Sequence, residues 1–179
     1  MYKKHNYIIT GSCGAGKTTI IEYISRTYPV VDEKFREVGR EMQHPDEPKF
    51  HIHDGEKFQK EVLKRAIKSY HENGHEICFF DRGIPDGLVV LPYNHGIEPV
   101  DAWERMSNEL RYNTSVFLLD MLPEDCFVKT RHPIPFDKSH ELQKLLGERY
   151  NDLGYDIVEV PVDTCLLYTS DAADELDGV

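Results

Sequence analysis

The sequence lacks any apolar run long enough to cross a bilayer as a helix. No apolar segment of signal-peptide length precedes the first apolar stretch, which begins at Tyr7. We therefore expect a cytoplasmic protein with no membrane partner. The cysteines are few and far apart, and the absence of a C-x-x-C pair argues against a zinc ribbon or a thioredoxin-type site.

Basic residues are also scarce. The chain has 21 lysines and arginines against 32 aspartates and glutamates, which gives a formal net charge of -11. Because nucleic-acid backbones are bound through clustered positive charge, this balance argues against broad nucleic-acid binding. The length suits one α/β domain with a sizeable core.

A glycine-rich segment near the amino end is the most informative feature that is present. Residues 11–18 match the phosphate-binding pattern G-x-x-x-x-G-K-[ST] at every fixed position. A strand pattern precedes the segment and a helical pattern follows it, which is the context that this loop requires. Backbone N–H groups and the helix N-terminus then bind a triphosphate, Lys17 reaches the β- and γ-phosphates, and Thr18 ligates Mg²⁺. The predicted nucleotide-binding residues are Gly11, Ser12, Cys13, Gly14, Ala15, Gly16, Lys17, Thr18 and Thr19.

The rest of the chain alternates between strand and helix patterns. Apolar strand patterns occur at 7–9, 30–31, 76–80, 115–119 and 155–160, and the main helical patterns at 18–24, 55–73, 100–112 and 140–153. Alternation of this kind favours a parallel sheet with right-handed crossovers, and strands that are apolar on both faces fit a sheet covered by helices on both sides. The predicted fold is a doubly wound, three-layer α/β/α domain.

Asp81 and Arg82 follow the strand pattern at 76–80. Because ligands bind at the carboxyl ends of parallel strands, these two residues are expected to face the same crevice as the phosphate loop. Asp81 is predicted to hold Mg²⁺ or to take a proton from an acceptor hydroxyl, and Arg82 to bind phosphate or the acceptor. The alternative is an aspartate that caps a turn beside a solvated arginine.

Two further groups are candidates for the acceptor side and for a lid. Lys129, Arg131 and His132 lie in a basic, proline-punctuated stretch where a lid can close over the transferring phosphoryl group, and Arg131 is the predicted catalytic cation there. Glu37 and Arg40 follow the short second strand and are predicted to bind a polar acceptor. An ordinary solvated loop and a solvated helix face, respectively, remain the alternatives.

The last fifteen residues differ in character from the rest. The segment from Cys165 to Val179 contains four acids and no lysine or arginine. It looks like one reading frame of a transposon-end adapter from DNA sequencing libraries. We therefore predict one phosphate-loop domain over residues 1–164 and a non-native tail over 165–179, in place of a C-terminal helix.

Taken together, the phosphate loop and the segments 36–41, 80–86 and 148–155 resemble the small bacterial AAA-type ATP-binding proteins of the P-loop NTPase superfamily, which are related to the nicotinamide riboside kinase domain of the bacterial NAD-biosynthesis regulator. The resemblance extends nearly to Thr164. It implies binding of ATP·Mg²⁺ and, in some members, phosphorylation of a nucleoside-like hydroxyl. By motif position, it gives the phosphate role to Gly11, Gly14, Gly16, Lys17 and Thr18 and the acid–base or metal role to Asp81.

The resulting prediction is an ATP-dependent kinase that transfers the γ-phosphoryl group to a small hydroxyl-bearing metabolite. An ATP-binding regulatory module and a slow ATPase without an acceptor remain as alternatives. Adenylate kinase-like and shikimate kinase-like enzymes share the loop and lid layout and also remain open. A Ras-like GTPase is disfavoured because no N-K-x-D or T-K-x-D segment occurs, and a hexameric motor because Asp81 is not followed by glutamate.

Overall fold

The computed structural model describes residues 3–42, 52–129 and 134–162, with the side chains of 128 and 129 excepted. Five parallel strands form one sheet in the order β2-β3-β1-β4-β5. Their bounds are Asn6–Thr10 for β1, Val30–Val31 for β2, Cys78–Asp81 for β3, Ser115–Leu119 for β4 and Asp156–Val160 for β5. The predicted parallel sheet with helical crossovers is confirmed.

Seven α-helices connect or follow these strands in the described part of the chain. They are α1 (Lys17–Ile24), α2 (Lys34–Met42), α3 (Gly55–Glu72), α4 (Gly87–His95), α5 (Asp101–Glu109), α6 (Glu124–Lys129) and α7 (Phe136–Asp152). Within the same residues, no helix is long and apolar enough to span a membrane.

The two faces of the sheet pack against different helices. Ile8, Phe80 and Val116 point to one face and belong to a large buried cluster with side chains of α3, α4, α5 and α7. Ile9 and Leu119 point to the other face and pack in a smaller cluster with Ile21 of α1. Strands that bury both faces explain why their sequences read as continuous apolar runs rather than as alternating patterns.

Two segments contain more helix than their sequences indicate. Pro85, Gly87 and Pro92 disfavour a regular helix, yet the segment that contains them forms a short 3₁₀ turn, Ile84–Asp86, and then α4. Pro85 lies at the start of the turn, where a missing N–H costs little. Helix α7 begins at Phe136, four residues before the predicted start, directly after Pro135. The boundary predicted at 164 lies outside the described residues.

Candidate active site

The phosphate loop runs from the end of β1 to the start of α1. Gly11, Gly14 and Gly16 all have positive φ, at 145°, 78° and 69°. A Cβ at Gly11 would also lie 3.0 Å from the carbonyl oxygen of Leu119. Only glycine adopts such a backbone without strain. The backbone conformation therefore explains why the pattern requires glycine at positions 11 and 16.

Lys17 is the first residue of α1 and only 6% of it is exposed. Its Nζ donates to the carbonyl oxygens of Gly11 at 2.7 Å and Ser12 at 2.6 Å. Burial, with the nearby charge of Arg82, lowers the pKa of Lys17 to about 8. The ammonium group therefore contacts only neutral carbonyls, and an anion bound beside it would stabilise its buried charge. The next two residues, Thr18 and Thr19, are exposed.

Asp81 is the last residue of β3 and lies opposite Ile9 of β1 in the parallel register. Its Oδ1 is buried and has no hydrogen-bond partner among the described residues. Burial raises the pKa of this carboxyl, and the negative charge of Glu33 raises it further. A buried acceptor without a donor is unusual in a folded protein, which makes Asp81 a candidate ligand-binding residue.

Arg82 continues the chain with φ of 70°, a left-handed backbone that is uncommon outside glycine. Its side chain is buried between two carboxylates: Nε donates to Glu33 Oε1 at 2.8 Å and Nη1 to Asp86 Oδ1 at 3.0 Å. Burial alone would lower the pKa of Arg82, but Glu33 and Asp86 outweigh it and the pKa is raised. Burial likewise acts to raise the pKa of Glu33, yet Arg82 and Arg36 lower it. The Glu33 carboxylate is thus held ionised.

Asp86 joins Arg82 to the phosphate loop and to α7. Its carboxylate is fully buried and accepts from Thr10 Oγ1 at 2.5 Å, Gly83 N at 2.8 Å and Tyr150 Oη at 2.5 Å, in addition to Arg82. Thr10 is the residue directly before the phosphate loop. The segments around Arg82 and Tyr150, which the sequence singled out separately, therefore meet at one carboxylate.

Four residues of this region were not predicted to belong to the site, although Asp86 and Tyr150 lie in segments that the sequence singled out: Glu33, Asp86, Gln143 and Tyr150. Glu33 follows the carboxyl end of β2, so the argument that selected Asp81 also applied to it. Gln143 of α7 accepts from the backbone N–H of Ser12 at 2.7 Å through Oε1 and donates to Leu119 O at 2.7 Å through Nε2. A glutamine inside an amphipathic helix carries no sequence signal of such a role.

The predicted acceptor residues lie on α2. Glu37 is 40% exposed at its side chain and pairs with Lys34 at 2.9 Å and with Arg65 of α3 at 2.7 Å. Hydrogen bonds from both partners lower its pKa. Arg40 is exposed in the last turn of the helix. Their role in binding an acceptor stays a prediction.

The predicted lid falls mostly outside the described residues. Arg131 and His132 are among those not described, and only the backbone of Lys129, the last residue of α6, is defined. The catalytic role of Arg131 therefore stays a prediction.

Oxygen ligands for a divalent cation are available but sparse. Within the described ranges no group of three or more His, Cys, Asp or Glu side chains is arranged to hold a metal ion. The exposed hydroxyl of Thr18 and the unpartnered Oδ1 of Asp81 are hard oxygen donors of the kind that Mg²⁺ accepts. The donor set fits a cation held partly by the phosphates of a nucleotide, as Mg²⁺ commonly is.

A narrow cleft lies beside Arg82, between α3 and the strands β2 and β3. It is partly open to solvent, and its cavity volume of about 20 Å³ has room for one or two water molecules. The α3 side contributes Val62, Ala66 and Ser69, which lie on one face of that helix. We call it the aromatic cleft; its described lining also includes Phe35, Phe80, Asp81, Arg82, Trp103 and Tyr112.

The comparison that decides the family is a match of the AAA domain family model to residues 6–165. The chain belongs to this AAA domain family. No curated protein matches it in sequence. Among solved structures, deoxyadenosine kinase from M. mycoides with bound dATP is 17% identical, with a TM-score of 0.57 over 95% of this chain and 99% of that one.

Two other solved structures are similar to this AAA domain. The same M. mycoides kinase with the products dCMP and a flexible dCDP gives a TM-score of 0.54 at 17% identity, over 95% of this chain and 99% of that one. Shikimate kinase from Aquifex aeolicus gives a TM-score of 0.48 at 17% identity, over 97% of this chain and 99% of that one. At these identities the deoxyadenosine kinase structures show the fold: a P-loop kinase-like fold with a parallel five-stranded sheet.

Proposed function

We propose that this protein is an ATP- and Mg²⁺-dependent kinase that transfers the γ-phosphoryl group to a hydroxyl of a small, nucleoside-like metabolite. The observation that carries the proposal is the position of Asp81. Its buried, unpartnered oxygen lies at the carboxyl end of the strand next to the one that leads into the phosphate loop. A phosphate-binding loop with such a carboxylate beside it is the minimum that phosphoryl transfer to a hydroxyl needs.

The loop supplies binding and orientation of the triphosphate. The backbone N–H groups of Gly14 to Thr18 and the N-terminus of α1 provide unpaired donors and a partial positive charge. Lys17 exchanges its bonds to Gly11 and Ser12 for the β- and γ-phosphate oxygens, which restores the full charge of a group whose pKa burial has lowered. Bound Mg²⁺, held by Thr18 and the phosphates, supplies neutralisation of the developing charge.

Asp81 acts on the acceptor. Its Oδ1 takes the proton of the acceptor hydroxyl while the hydroxyl oxygen forms a bond to the γ-phosphorus, and the bond from that phosphorus to the β–γ bridging oxygen breaks. ADP leaves with the bonding electrons. The raised pKa of Asp81 favours this role over direct metal ligation, because a carboxylate that binds protons more readily is the better base near neutrality.

A panel assay of ADP release tests the proposal. The protein is mixed with ATP·Mg²⁺ and, one at a time, with the common nucleosides, nicotinamide riboside, simple sugars and shikimate. The proposal predicts release stimulated at least tenfold by one nucleoside-like acceptor, and stimulation by nicotinamide riboside alone would extend the sequence resemblance to substrate choice. Tight ATP binding without stimulation by any acceptor indicates a regulatory module, and equal release without acceptor indicates a slow ATPase; both results contradict the kinase.

Asp81→Asn is the matched control for this assay. The amide keeps the shape of the side chain but cannot take a proton, so acceptor-stimulated release is expected to fall by about 100-fold or more. Nucleotide binding is expected to stay within a few-fold of the unchanged protein. Full acceptor-stimulated activity in this variant would remove the assigned role of Asp81.

A further inference from the structure

Gln143 bridges two neighbouring strands at the point where they separate. The last paired residues of β1 and β4 are Thr10 and Leu118, and beyond them the chain after β1 turns into the phosphate loop. Gln143 of α7 accepts from the N–H of Ser12 at 2.7 Å and donates to the carbonyl oxygen of Leu119 at 2.7 Å. Its side-chain amide therefore pairs a main-chain donor and a main-chain acceptor that lie just past the end of the ladder.

The bond to Ser12 also orients the peptide between Gly11 and Ser12. In a trans peptide the N–H and the C=O point in opposite directions. The N–H of this peptide points to Gln143, and its carbonyl oxygen, that of Gly11, accepts from Lys17 Nζ at 2.7 Å. Because glycine has more conformational freedom than other residues, a contact from outside the loop is needed to hold one orientation here.

Helix α7 holds the chain on both sides of Gly11. Gln143 binds the residue that follows it. Tyr150, about two turns further along α7, donates to Asp86 at 2.5 Å, and Asp86 accepts from Thr10, the residue before Gly11, at 2.5 Å. Contacts from a single helix thus set the position of the chain where the loop begins.

We propose that Gln143 is a positioning residue for the phosphate loop, which it holds in its binding conformation without touching the nucleotide. The N–H of Ser12, which Gln143 binds, is not among the donors from Gly14 to Thr18 that the proposed function assigns to the phosphates. A loop that is ordered before the nucleotide arrives loses less conformational entropy on binding, so this contact raises the affinity for ATP·Mg²⁺. The effect on affinity rests on the proposed function; the ordering of the loop does not.

Gln59 offers a matched control in the same chain. Its Oε1 accepts from the N–H of Val100 at 2.9 Å, and its Nε2 donates to the carbonyl oxygen of Glu98 at 3.0 Å. This glutamine of α3 therefore makes the same pair of bonds to the main chain, but in the segment that leads into α5. Gln143→Met and Gln59→Met each remove both bonds and keep the length of the side chain. A purely structural role for Gln143 predicts the same result in both variants.

Titration calorimetry with ATP·Mg²⁺ measures the effect on binding. Gln143→Met is expected to bind about tenfold more weakly than the unchanged protein, whereas Gln59→Met is expected to bind within about twofold of it. In steady-state assays the KM for ATP is expected to rise in Gln143→Met while the KM for the acceptor stays the same. Unchanged affinity in Gln143→Met, or an equal loss in the two variants, overturns the proposal.

Amide hydrogen exchange at Ser12, followed by NMR, measures the order of the loop without any nucleotide. The N–H of Ser12 is expected to be protected in the unchanged protein, to exchange about tenfold faster in Gln143→Met, and to stay protected in Gln143→Glu, whose carboxylate still accepts the bond. Exchange at Ser12 in the unchanged protein as fast as in an exposed peptide overturns the proposal, and this measurement needs no variant.

The two proposals fail in different ways. Protection of Ser12 that is lost in Gln143→Met, in a protein without measurable affinity for ATP·Mg²⁺, contradicts the kinase but supports the ordering of the loop by Gln143. Acceptor-stimulated release of ADP with the same KM for ATP in Gln143→Met and the unchanged protein contradicts the role of Gln143 but supports the kinase.

Discussion

Two buried cations at the same edge of the sheet, Lys17 and Arg82, differ in what surrounds them. Lys17 contacts neutral backbone carbonyls, and burial lowers its pKa to about 8. Arg82 contacts the carboxylates of Glu33 and Asp86, and its pKa is raised despite burial. The difference predicts different roles for the two cations: Lys17 has a charge that an incoming anion can neutralise, whereas the charge of Arg82 is already compensated by the protein.

Asp86→Ala is expected to have the largest effect on stability. The change leaves the buried guanidinium of Arg82 with one carboxylate fewer and removes the acceptor of Thr10 and Tyr150. Removing one partner of a buried ion pair costs about 3–5 kcal/mol in the free energy of unfolding, which urea denaturation measures.

Arg65→Ala is the control for that variant. Arg65 also binds several carboxylates, on α2 and α3, but in a partly exposed cluster. Its loss is expected to lower the free energy of unfolding much less, because exposed ion pairs are screened by water and contribute little. If the two variants lost the same free energy of unfolding, burial would not distinguish the two ion-pair networks.

Lys17→Ala tests the other cation and is expected to reduce turnover by about 100- to 1,000-fold, as loss of a charge-stabilising donor does. The free energy of unfolding is expected to stay the same or to rise, because the variant no longer buries a charged group whose pKa is lowered. Steady-state ADP release and thermal melting measure the two quantities. A variant that keeps its activity, or that unfolds, would indicate that Lys17 stabilises the fold, as Arg82 is expected to do, rather than binding phosphate.

Tyr150→Phe removes one donor to Asp86 while keeping the buried ring. A hydrogen bond to a charged group contributes about 1.5–3 kcal/mol, so a loss of that order is expected in urea denaturation. Tyr93→Phe is the matched control, since the Tyr93 hydroxyl donates to Glu141 at the surface. A loss in Tyr150→Phe as small as in the control would mean that Asp86 does not depend on this donor.

Asp81→Asn is expected to stabilise the protein at pH 7 by about 0.5–2 kcal/mol. The pKa of Asp81 is raised in the folded state, so folding favours its protonated form and the unchanged protein loses stability as pH rises above the ordinary value of 3.8. The asparagine variant lacks this loss. The difference in stability is therefore expected to shrink as pH falls towards 3.8, and a variant less stable at pH 7 would contradict the cause given for the pKa shift.

The contrast between the two cations also explains what the sequence could reveal. The phosphate loop is one contiguous segment with its own backbone requirements, so its pattern predicted the site of Lys17. The environment of Arg82 combines residues from β1, the 3₁₀ turn after β3, α7 and the segment after β2, and their proximity depends on how the fold brings these elements together. Glu33 follows the carboxyl end of a strand and Tyr150 belongs to the segment 148–155, so the sequence offered a signal for both, whereas Gln143 looks like an ordinary helix residue.

The central claim is that the loop around Lys17 binds the phosphates of a nucleotide, and titration calorimetry with ATP·Mg²⁺ tests it most directly. The account predicts one saturable binding event for the unchanged protein and at least tenfold weaker binding for Lys17→Ala. Absence of heat with every magnesium-complexed nucleoside triphosphate, or equal affinity in the two proteins, would contradict it.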